Sequence, residues 1–468
     1  MEAAEQLTYL LMLKIEDEQV PGRGAVAAGR GALSEPEPCG WGALLALRGS
    51  ELVTRYSQIL DRRSRRESGT ALDAVFAGAQ NQIPDGALLH RLVFDLFEAR
   101  RWTFQEAGLL CEAYDALLAK AVNDIRTGAG QYFTPRPLID AVVAALRPEL
   151  SDTVTDPACG TGGFLIGVHH YLARHQLLEA TQEERERWNR EQIWGQELVP
   201  GTARLATANL LLHSMGALGR PPQITVGDTL AHPPHRRASL VLAHPPFGRR
   251  AGVPGQAPGA AHRESTDARS DFVTGASEKH IDFLQHVMSL TAAPGRAAVI
   301  VPDSIFYAAG AAARVREHLL DRFDVHTVLR LPAGMFHSSV QASVIFFDRP
   351  AHPAPGPQTT QIWVYDLRSR RPSAPVITPP TRSDLDDFVS VYRPGRPRTR
   401  RVQTQDFRCF DVKDVLNVNG TRLDLTWPQK PPHTDSLATP QAIAQDIVDG
   451  LTVALQEFAE LAAKLQGE

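Results

Sequence analysis

Cysteine is scarce in this chain of 468 residues. The four cysteines are far apart in the sequence: Cys39, Cys111, Cys159 and Cys409. Because none belongs to a C-x-x-C pair or to a dense cysteine framework, we expect reduced thiols and neither disulfides nor a zinc site. The pairs His169-His170 and His232 with His235 lack cysteine or acidic partners at ligand spacing, so we also expect no bound metal.

Long apolar runs and an excess of basic charge are also missing. No uninterrupted apolar stretch reaches the roughly 18 residues that a membrane-spanning helix needs, and the first residues lack the basic start of a secretory signal. We therefore expect a cytoplasmic protein. The formal net charge is −4, whereas proteins that coat nucleic acid by bulk electrostatics have a clear basic excess. Contact with nucleic acid is thus expected to be local, or shared with a partner.

Arginine is nevertheless clustered in three places. The clusters lie at residues 62–66, 368–371 and 393–401, and the last two flank proline-rich segments. Solvated loop charge is the simpler interpretation of each cluster, and contact with phosphate is the alternative.

The pattern of apolar residues divides the chain into segments. Helical periodicity predicts an N-terminal helical domain over residues 1–124. From residue 125 to 350, short β-rich runs alternate with helical stretches, which predicts an α/β domain with a mainly parallel sheet and helices on both faces. Residues 351–435 form a proline-rich extension of that domain, with one predicted strand at Ile362–Tyr365. Residues 436–468 form a predicted C-terminal helix, which packs on its own domain or on a partner.

The α/β segment contains a series of short predicted strands. They are Thr153–Thr155, Ile193–Trp194, Ile224–Val226, Leu240–Leu242, Ala297–Val301, Val325–Leu329 and Val344–Phe347. Residues 249–274 interrupt this rhythm with glycine, proline and charge. A loop of that length inside a compact domain indicates a lid, a binding segment or local disorder.

The segment from Asp156 to Phe164 reads D-P-A-C-G-T-G-G-F and lies between a predicted strand and an apolar helical stretch. Glycines allow a backbone turn with positive φ and the close approach of a ligand, and a helix N-terminus offers unpaired N–H groups. The segment therefore predicts a cradle for a nucleotide cofactor. It lacks the Lys-Ser/Thr of a phosphate loop and differs from the G-x-G-x-x-G of dinucleotide enzymes, so alone it fits several cofactor classes.

Further motifs stand before and after this glycine segment. They read Gln131-Tyr132-Phe133-Thr134-Pro135-Arg136, then Gly195-Gln196-Glu197, Gly227-Asp228 and Ala243-His244-Pro245-Pro246-Phe247-Gly248. Loops that follow parallel strands meet at one edge of the sheet, where ligands bind in open α/β proteins. In this order, the motifs resemble those of adenine-N6 DNA methyltransferases that use S-adenosylmethionine. More closely, the chain resembles the modification subunit of type I restriction-modification systems.

The resemblance covers nearly the whole chain, from the helix at Gln6–Leu11 to the segments Leu331–Phe336 and Ala342–Phe347. It implies the fold of a class I S-adenosylmethionine-dependent methyltransferase, which is Rossmann-like with a mainly parallel sheet. An N-terminal helical domain and a C-terminal helix would accompany this fold and offer contact surfaces for partners.

The resemblance also implies which residues hold S-adenosylmethionine. Residues 131–136 would fold over the cofactor, residues 161–163 would lie against its methionine end, and Glu197 would accept hydrogen bonds from both ribose hydroxyls. Asp228 would accept the amine of the cofactor's adenine. A solvated strand-end carboxylate is the alternative for Glu197, and common Gly-Asp turn chemistry is the alternative for Asp228. The expected cofactor set is Gln131, Tyr132, Phe133, Thr134, Pro135, Arg136, Asp156, Ala158, Gly160, Thr161, Gly162, Gly163, Glu197 and Asp228.

The expected catalytic motif is His244-Pro245-Pro246-Phe247, whose first residue departs from the family. In the family an Asn or Asp oxygen accepts one N–H of the target adenine, the first proline's carbonyl accepts the other, and the aromatic residue stacks on a base swung out of the duplex. A neutral imidazole offers one acceptor nitrogen, and a protonated imidazole offers none. If His244 accepts the amine, activity is expected to fall as the pH drops through about 6.5.

The implied function is transfer of a methyl group from S-adenosylmethionine to adenine N6 in double-stranded DNA, at a site chosen by a separate specificity subunit. A second copy of the chain and a restriction subunit are the further partners that the resemblance implies. Because of His244, a cofactor-binding scaffold of a related defence complex, with weakened or no turnover, is the alternative. Methylation of proteins or small molecules is a third possibility, since P-P-F tetrapeptides also occur in enzymes that act on amide nitrogens.

Overall fold

The computed structural model describes residues 2–19, 40–102, 107–124, 133–217, 220–248, 269–276, 278–332, 335–336, 341–370, 381–419 and 421–427. The predicted C-terminal helix at 436–468 and most of the loop at 249–274 lie outside these residues. The first part of the chain is helical. Its helices are α1 (Glu2–Gln19), α2 (Gly42–Leu45), α3 (Gly49–Ser64), α4 (Ala71–Phe76), α5 (Gly86–His90), which continues as a π-helix over Arg91–Glu98, and α6 (Ala107–Asp124).

Strands and helices alternate in the rest of the described chain. The strands are β1 (Val154–Asp156), β2 (Ile193–Glu197), β3 (Ile224–Val226), β4 (Ala238–Ala243), β5 (Thr291–Pro302), β6 (Asp324–Arg330), β7 (Ala342–Arg349), β8 (Gln361–Asp366) and β9 (Phe407–Asp411). The helices are α7 (Arg136–Leu146), α8 (Gly163–His175), α9 (Gln182–Arg187), α10 (Pro200–Leu212), α11 (Lys279–Leu290), α12 (Ser304–Tyr307), α13 (Ala311–Arg322), α14 (Arg382–Tyr392) and α15 (Val412–Asn419).

In the described part of the chain, the nine strands form one sheet in the order β3-β2-β1-β4-β5-β7-β6-β8-β9. Strands β1 to β5 run parallel, β7 is antiparallel to both β5 and β6, β8 is parallel to β6, and β9 is antiparallel to β8. The sheet is therefore mainly parallel, and the predicted α/β class is confirmed. Strand order reverses at β1, with β2 on one side and β4 on the other, so ligands are expected at the carboxyl ends of β1 and β4.

Helices cover both faces of the sheet because its central strands are apolar on both sides. Along β4, Leu240 and Leu242 join the core formed with α7, α8 and α14. Val241 and Ala243 point to the opposite face and join the core formed with α11 and α13. The alternation follows from the two-residue period of side chains along a strand.

A third core joins the N-terminal helices to the sheet through α10. Leu205 and Leu211 of α10 are buried in the same cluster as Tyr9 of α1. Beside this cluster, Arg204 donates hydrogen bonds to a Glu5 carboxylate oxygen at 3.0 Å and to the Ala77 carbonyl at 3.0 Å. Helix α10 thus has one side in the sheet domain and one side in the helical region.

The extension after β7 contains more strand than the sequence predicts. The predicted strand at Ile362–Tyr365 is part of β8, and β9 adds a second strand at the edge of the sheet. Strand β9 reads F-R-C-F-D and has only its first residue buried. Its sequence therefore has no run of buried apolar residues, and its strand conformation depends on pairing with β8.

The interpretation of the arginine clusters as solvated loop charge is wrong for several members. Arg63 is 4% exposed and pairs with Glu16 at 2.6 Å. Arg398 bridges the carboxylates at the start of β6 and the end of β7. Arg401 is buried, with its guanidinium 4.3 Å from the centre of the Tyr392 ring. These side chains are structural, because ion pairs and ring contacts compensate the charge of the buried Arg63 and Arg401 and of the partly buried Arg398.

Candidate active site

Four predicted motifs lie at the carboxyl edge of the parallel strands. Asp156 ends β1, Glu197 ends β2, Asp228 follows β3 by two residues, and His244 directly follows β4. The parallel register places Asp156 beside Gly195 of β2, and Glu197 beside the end of β3. Since β1 and β4 are also neighbours, the structure brings the glycine segment and the tetrapeptide together at the reversal of strand order.

The glycine segment turns sharply before α8 begins at Gly163. Gly160 and Gly162 have φ values of +56° and +88°, in the left-handed region that other residues seldom adopt. A Cβ at Gly160 would meet no atom within 4 Å, so the backbone there borders open space. The Asn209 side chain, which the sequence did not single out, donates to the Thr161 carbonyl at 3.0 Å. Asn209 thereby holds the turn from α10.

Glu197 links the ends of β1 and β2. Its side chain is 6% exposed, and its two oxygens accept hydrogen bonds from the Gly160 N–H at 3.1 Å and the Val199 N–H at 2.9 Å. Burial raises the pKa of this carboxyl above its ordinary value, although the backbone hydrogen bonds oppose the rise. Glu197 is therefore no ordinary solvated carboxylate, because it is buried and fixes the glycine turn.

Asp156 is a second buried carboxyl at this edge. It is 2% exposed and accepts a hydrogen bond from the Ala158 N–H at 2.9 Å. Burial, together with the charge of Glu197, raises the pKa of Asp156 to about 8. Two buried acids beside a glycine turn suit a ligand that has hydroxyl donors and positive charge. S-adenosylmethionine has both, in its ribose and its sulfonium and amino groups, so these residues fit the expected cofactor.

His244 forms one side of the site and contacts the segment before α7. Its Nδ1 lies 2.7 Å from Oγ1 of Thr134. Its ring centre lies 4.5 Å from that of Phe336 and 5.4 Å from that of Phe247. Burial lowers the pKa of His244 to about 3. The imidazole is therefore neutral at physiological pH, and the expected loss of activity through pH 6.5 does not apply to this ring.

The rest of the tetrapeptide is largely enclosed. Pro245 is buried, Pro246 is partly buried and Phe247 is 5% exposed. The Phe247 ring meets the Phe336 ring edge to face, with centres 6.4 Å apart. The resemblance implies that a base swung out of the duplex stacks on the Phe247 ring. The role of Phe247 stays a prediction.

The other predicted cofactor residues are placed less uniformly. Gln131 and Tyr132 lie outside the described residues. Phe133, Thr134 and Pro135 are partly buried and lead into α7. Asp228 is exposed, and one of its side-chain oxygens accepts a hydrogen bond from the Leu230 N–H at 2.9 Å. This contact is the Gly-Asp turn chemistry that was the alternative to a role in binding the cofactor's adenine.

Arg136 starts α7 and belongs to a chain of polar groups that are mostly partly buried. It pairs with Asp140 at 3.3 Å and donates to Nδ1 of His170. Nε2 of His170 lies 2.9 Å from Nδ1 of His213, whose Nε2 lies 3.7 Å from Asp115. Because a guanidinium can only donate, Nδ1 of His170 accepts and its Nε2–H donates to His213.

This polar chain connects the expected cofactor segment to α6. Burial, with the charge of Arg136, lowers the pKa of His170 to about 3. In the described residues, no three His, Cys, Asp or Glu side chains are arranged to hold a metal ion. The sequence did not predict that His170 and His213 belong to this polar chain, because its members lie on α6, α7 and α8 and directly after α10. Among the helices that the structure describes, none is both long enough and apolar enough to cross a membrane.

Comparisons with known proteins agree with this geometry. A family model described as N-6 DNA Methylase matches residues 105–412. The chain is 30% identical to the methylase subunit of the type I restriction enzyme StySPI of Salmonella potsdam, over 98% of this chain and 90% of that subunit. The methylase subunit of the type I restriction enzyme EcoKI of Escherichia coli is also 30% identical, over 98% and 90% of the two chains.

Solved structures show the same relationship. A chain from a structural study of type I restriction-modification assembly superposes with a TM-score of 0.70 at 25% identity, covering 100% of this chain and 94% of that chain. The crystal structure of the EcoKI M protein superposes with a TM-score of 0.56 at 28% identity, covering 99% and 91%. The chain therefore belongs to the N-6 DNA methylase family, among the methylase subunits of type I restriction enzymes, and it is an adenine-specific DNA methyltransferase with S-adenosylmethionine as methyl donor.

Proposed function

We propose that this methyltransferase acts on double-stranded DNA with His244, Pro245, Pro246 and Phe247 as its catalytic motif. The observation that supports the proposal is the position of the buried Glu197 and of His244 at the carboxyl ends of β2 and β4, the two strands that flank β1 where strand order reverses. In open α/β sheets this is where a cofactor and its substrate are brought together.

The proposed mechanism gives each residue a separate task. S-adenosylmethionine supplies an activated methyl group when it is bound. Glu197 and the glycine turn bind and orient the donor, and the helix N-terminus at Gly163 adds N–H groups. The unprotonated nitrogen of the neutral His244 ring and the Pro245 carbonyl each accept one N–H of the adenine amine. Both contacts shift electron density toward N6, and they are worth most where charge develops in the transition state.

The proposal includes partners that read the DNA sequence. The net charge of −4 favours a division of labour in which a separate specificity subunit supplies most of the DNA contacts. A second copy of this chain would methylate the other strand of the duplex, and a restriction subunit is a further proposed partner. Since the proposed substrate is cellular DNA, the proposed location is the cytoplasm.

The test is methyl transfer by the complex purified through a tag on this chain. Genomic DNA from cells that lack the chain would be incubated with tritiated S-adenosylmethionine, and N6-methyladenine would be identified by mass spectrometry. We expect transfer by the parent. We also expect His244→Asn to raise turnover at least about tenfold, because the amide oxygen is the acceptor that the family uses at this position, where one transition-state contact is typically worth about 10²- to 10³-fold.

Cofactor binding measured by calorimetry separates the alternatives. If the complex binds S-adenosylmethionine and DNA but neither the parent nor His244→Asn transfers label, the chain is a cofactor-binding scaffold. Label found in protein instead of DNA would support methylation of an amide nitrogen. Either result would contradict the proposed function.

A further inference from the structure

One contact in the site joins His244 to a residue outside the tetrapeptide. Thr134 Oγ1 and His244 Nδ1 are 2.7 Å apart, although the two residues are 110 positions apart in the sequence. Thr134 lies in the segment before α7, and His244 follows β4. The contact therefore joins the expected cofactor segment directly to the catalytic motif.

The direction of this hydrogen bond decides what His244 can do. In a neutral imidazole one nitrogen bears the proton and the other has a free lone pair, whereas a hydroxyl can donate or accept. If Thr134 donates to Nδ1, the proton of the ring is on Nε2, which then cannot accept an amine N–H. If Thr134 accepts from Nδ1–H, Nε2 keeps its lone pair.

Two other histidines of this chain, one partly buried and one buried, show the opposite arrangement. Arg136 donates to Nδ1 of His170, and Arg269 donates to Nδ1 of His286 at 3.0 Å. Because guanidinium only donates, both rings must have the proton on Nε2. At His244 the partner of Nδ1 is instead a hydroxyl, which permits the proton to be on Nδ1.

The surroundings of His244 keep the ring neutral and oriented. Burial lowers its pKa to about 3, so the choice lies between two neutral tautomers at physiological pH. The Phe336 and Phe247 rings lie beside it at centre distances of 4.5 Å and 5.4 Å. With the ring held in this way, the direction of the hydrogen bond at Nδ1 fixes which tautomer is present.

We propose that Thr134 accepts the Nδ1–H of His244 and so leaves the Nε2 lone pair to accept the adenine amine. Thr134 is then a positioning residue. It keeps His244 in the tautomer that can accept the amine N–H, as the Asn or Asp oxygen does in the family. The inference rests on the proposed function, because it assumes that the amine meets His244. It adds that the state of the ring is selected by a residue outside the tetrapeptide.

The first test observes the tautomer directly. Full-length protein labelled with 15N-histidine gives distinct shifts for protonated and unprotonated ring nitrogens, and the His244→Asn spectrum identifies the signals of His244. We expect Nδ1 to be protonated in the parent and in Thr134→Ser, and the population to shift toward protonated Nε2 in Thr134→Val. Protonated Nε2 in the parent would overturn the inference. The parent spectrum decides this even if Thr134→Val does not fold.

The second test is a double-mutant cycle of methyl transfer. We expect Thr134→Val to lower turnover by about 10²-fold, on the scale of losing one transition-state contact, and Thr134→Ser to recover most of that rate. In the His244→Asn background the loss from Thr134→Val should shrink to a few-fold, because an amide has no tautomers. An equal loss in both backgrounds would mean that Thr134 acts only on the cofactor or on folding, and would contradict the inference.

The two tests separate this inference from the proposed function. If no variant transfers methyl groups, the proposed function fails, while the 15N spectrum still shows which nitrogen of His244 is protonated. If the complex is active but the parent ring has its proton on Nε2, only the role of Thr134 fails.

Discussion

His244 has a pKa that differs from that of a free histidine. The sequence placed it in the catalytic motif but could supply only the ordinary imidazole pKa near 6.5. Burial lowers this pKa to about 3. The depression follows from the low polarity around the ring, which penalises the charged form.

This depressed pKa makes a prediction for the pH dependence of turnover. A group with a pKa of about 3 is only about 1% protonated at pH 5. We therefore expect no loss of turnover from His244 protonation between pH 8 and pH 5. The measurement is the initial rate of methyl transfer by the complex, with His244→Asn as the matched control for acid effects elsewhere. A decline near pH 6.5 in the parent that is absent from His244→Asn would contradict the prediction.

The acidic residues at the ends of β1 and β2 connect the loops that follow these two strands. Glu197 closes one loop onto the other through the Gly160 N–H, and its charge adds to the high pKa of Asp156. The motifs indicated that these loops belong to one site. The charge of Glu197 affects the pKa of Asp156 because the parallel pairing of β1 with β2 brings these two buried acids close together.

The raised pKa of Asp156 predicts that cofactor binding releases protons. With a pKa of about 8, Asp156 is largely protonated at pH 7, and a positively charged ligand favours its ionised form. We expect S-adenosylmethionine to release up to about one proton per site at pH 7. The measurement is calorimetry in buffers of different ionisation enthalpy.

Two controls distinguish Asp156 from other groups. Asp156→Asn keeps an oxygen for the Ala158 N–H but has no proton to release, so its binding enthalpy should depend less on the buffer. S-adenosylhomocysteine lacks the sulfonium charge and should release fewer protons. Proton uptake by the parent, or equal release by Asp156→Asn, would count against the explanation.

The N-terminal helices and the sheet share helix α10 in one packed structure. Leu211 is 2% exposed and belongs to the core that includes Tyr9 of α1, while Leu210 of the same helix packs in the core that includes α7 and α8. Neither unit can therefore unfold without exposing apolar surface of the other. Helical periodicity alone gave no indication of this shared helix.

This packing predicts one cooperative unfolding transition for the whole chain. Leu211→Ala should lower the free energy of unfolding by about 2 to 5 kcal/mol, the usual cost of truncating a buried leucine side chain to alanine. The matched control is Leu319→Ala in α13, a buried leucine in the core on the opposite face. In both variants we expect a single calorimetric peak at a lower temperature than in the parent. Two separate peaks, with only the first moved by Leu211→Ala, would show that the helical region unfolds by itself.

Much of the fold could be read from local sequence. The predicted strand at Ile224–Val226 agrees with β3, and the other predicted strands of the α/β segment overlap β1, β2 and β4 to β7. Such strands form apolar runs that are recognisable without knowing their neighbours. Strand β9 was missed because its partner β8, rather than its own pattern, determines its conformation.

The sequence by itself determined the family, the cofactor class and the order of the motifs, because each motif is a short run whose chemistry depends on adjacent residues. Tertiary structure decided which of these groups are buried and which touch. The contact of Thr134 with His244, the neutral state of that ring and the raised pKa of Asp156 all arise from neighbours on other strands and helices. Burial and hydrogen-bond direction depend on distances in space, which no local pattern of residues specifies.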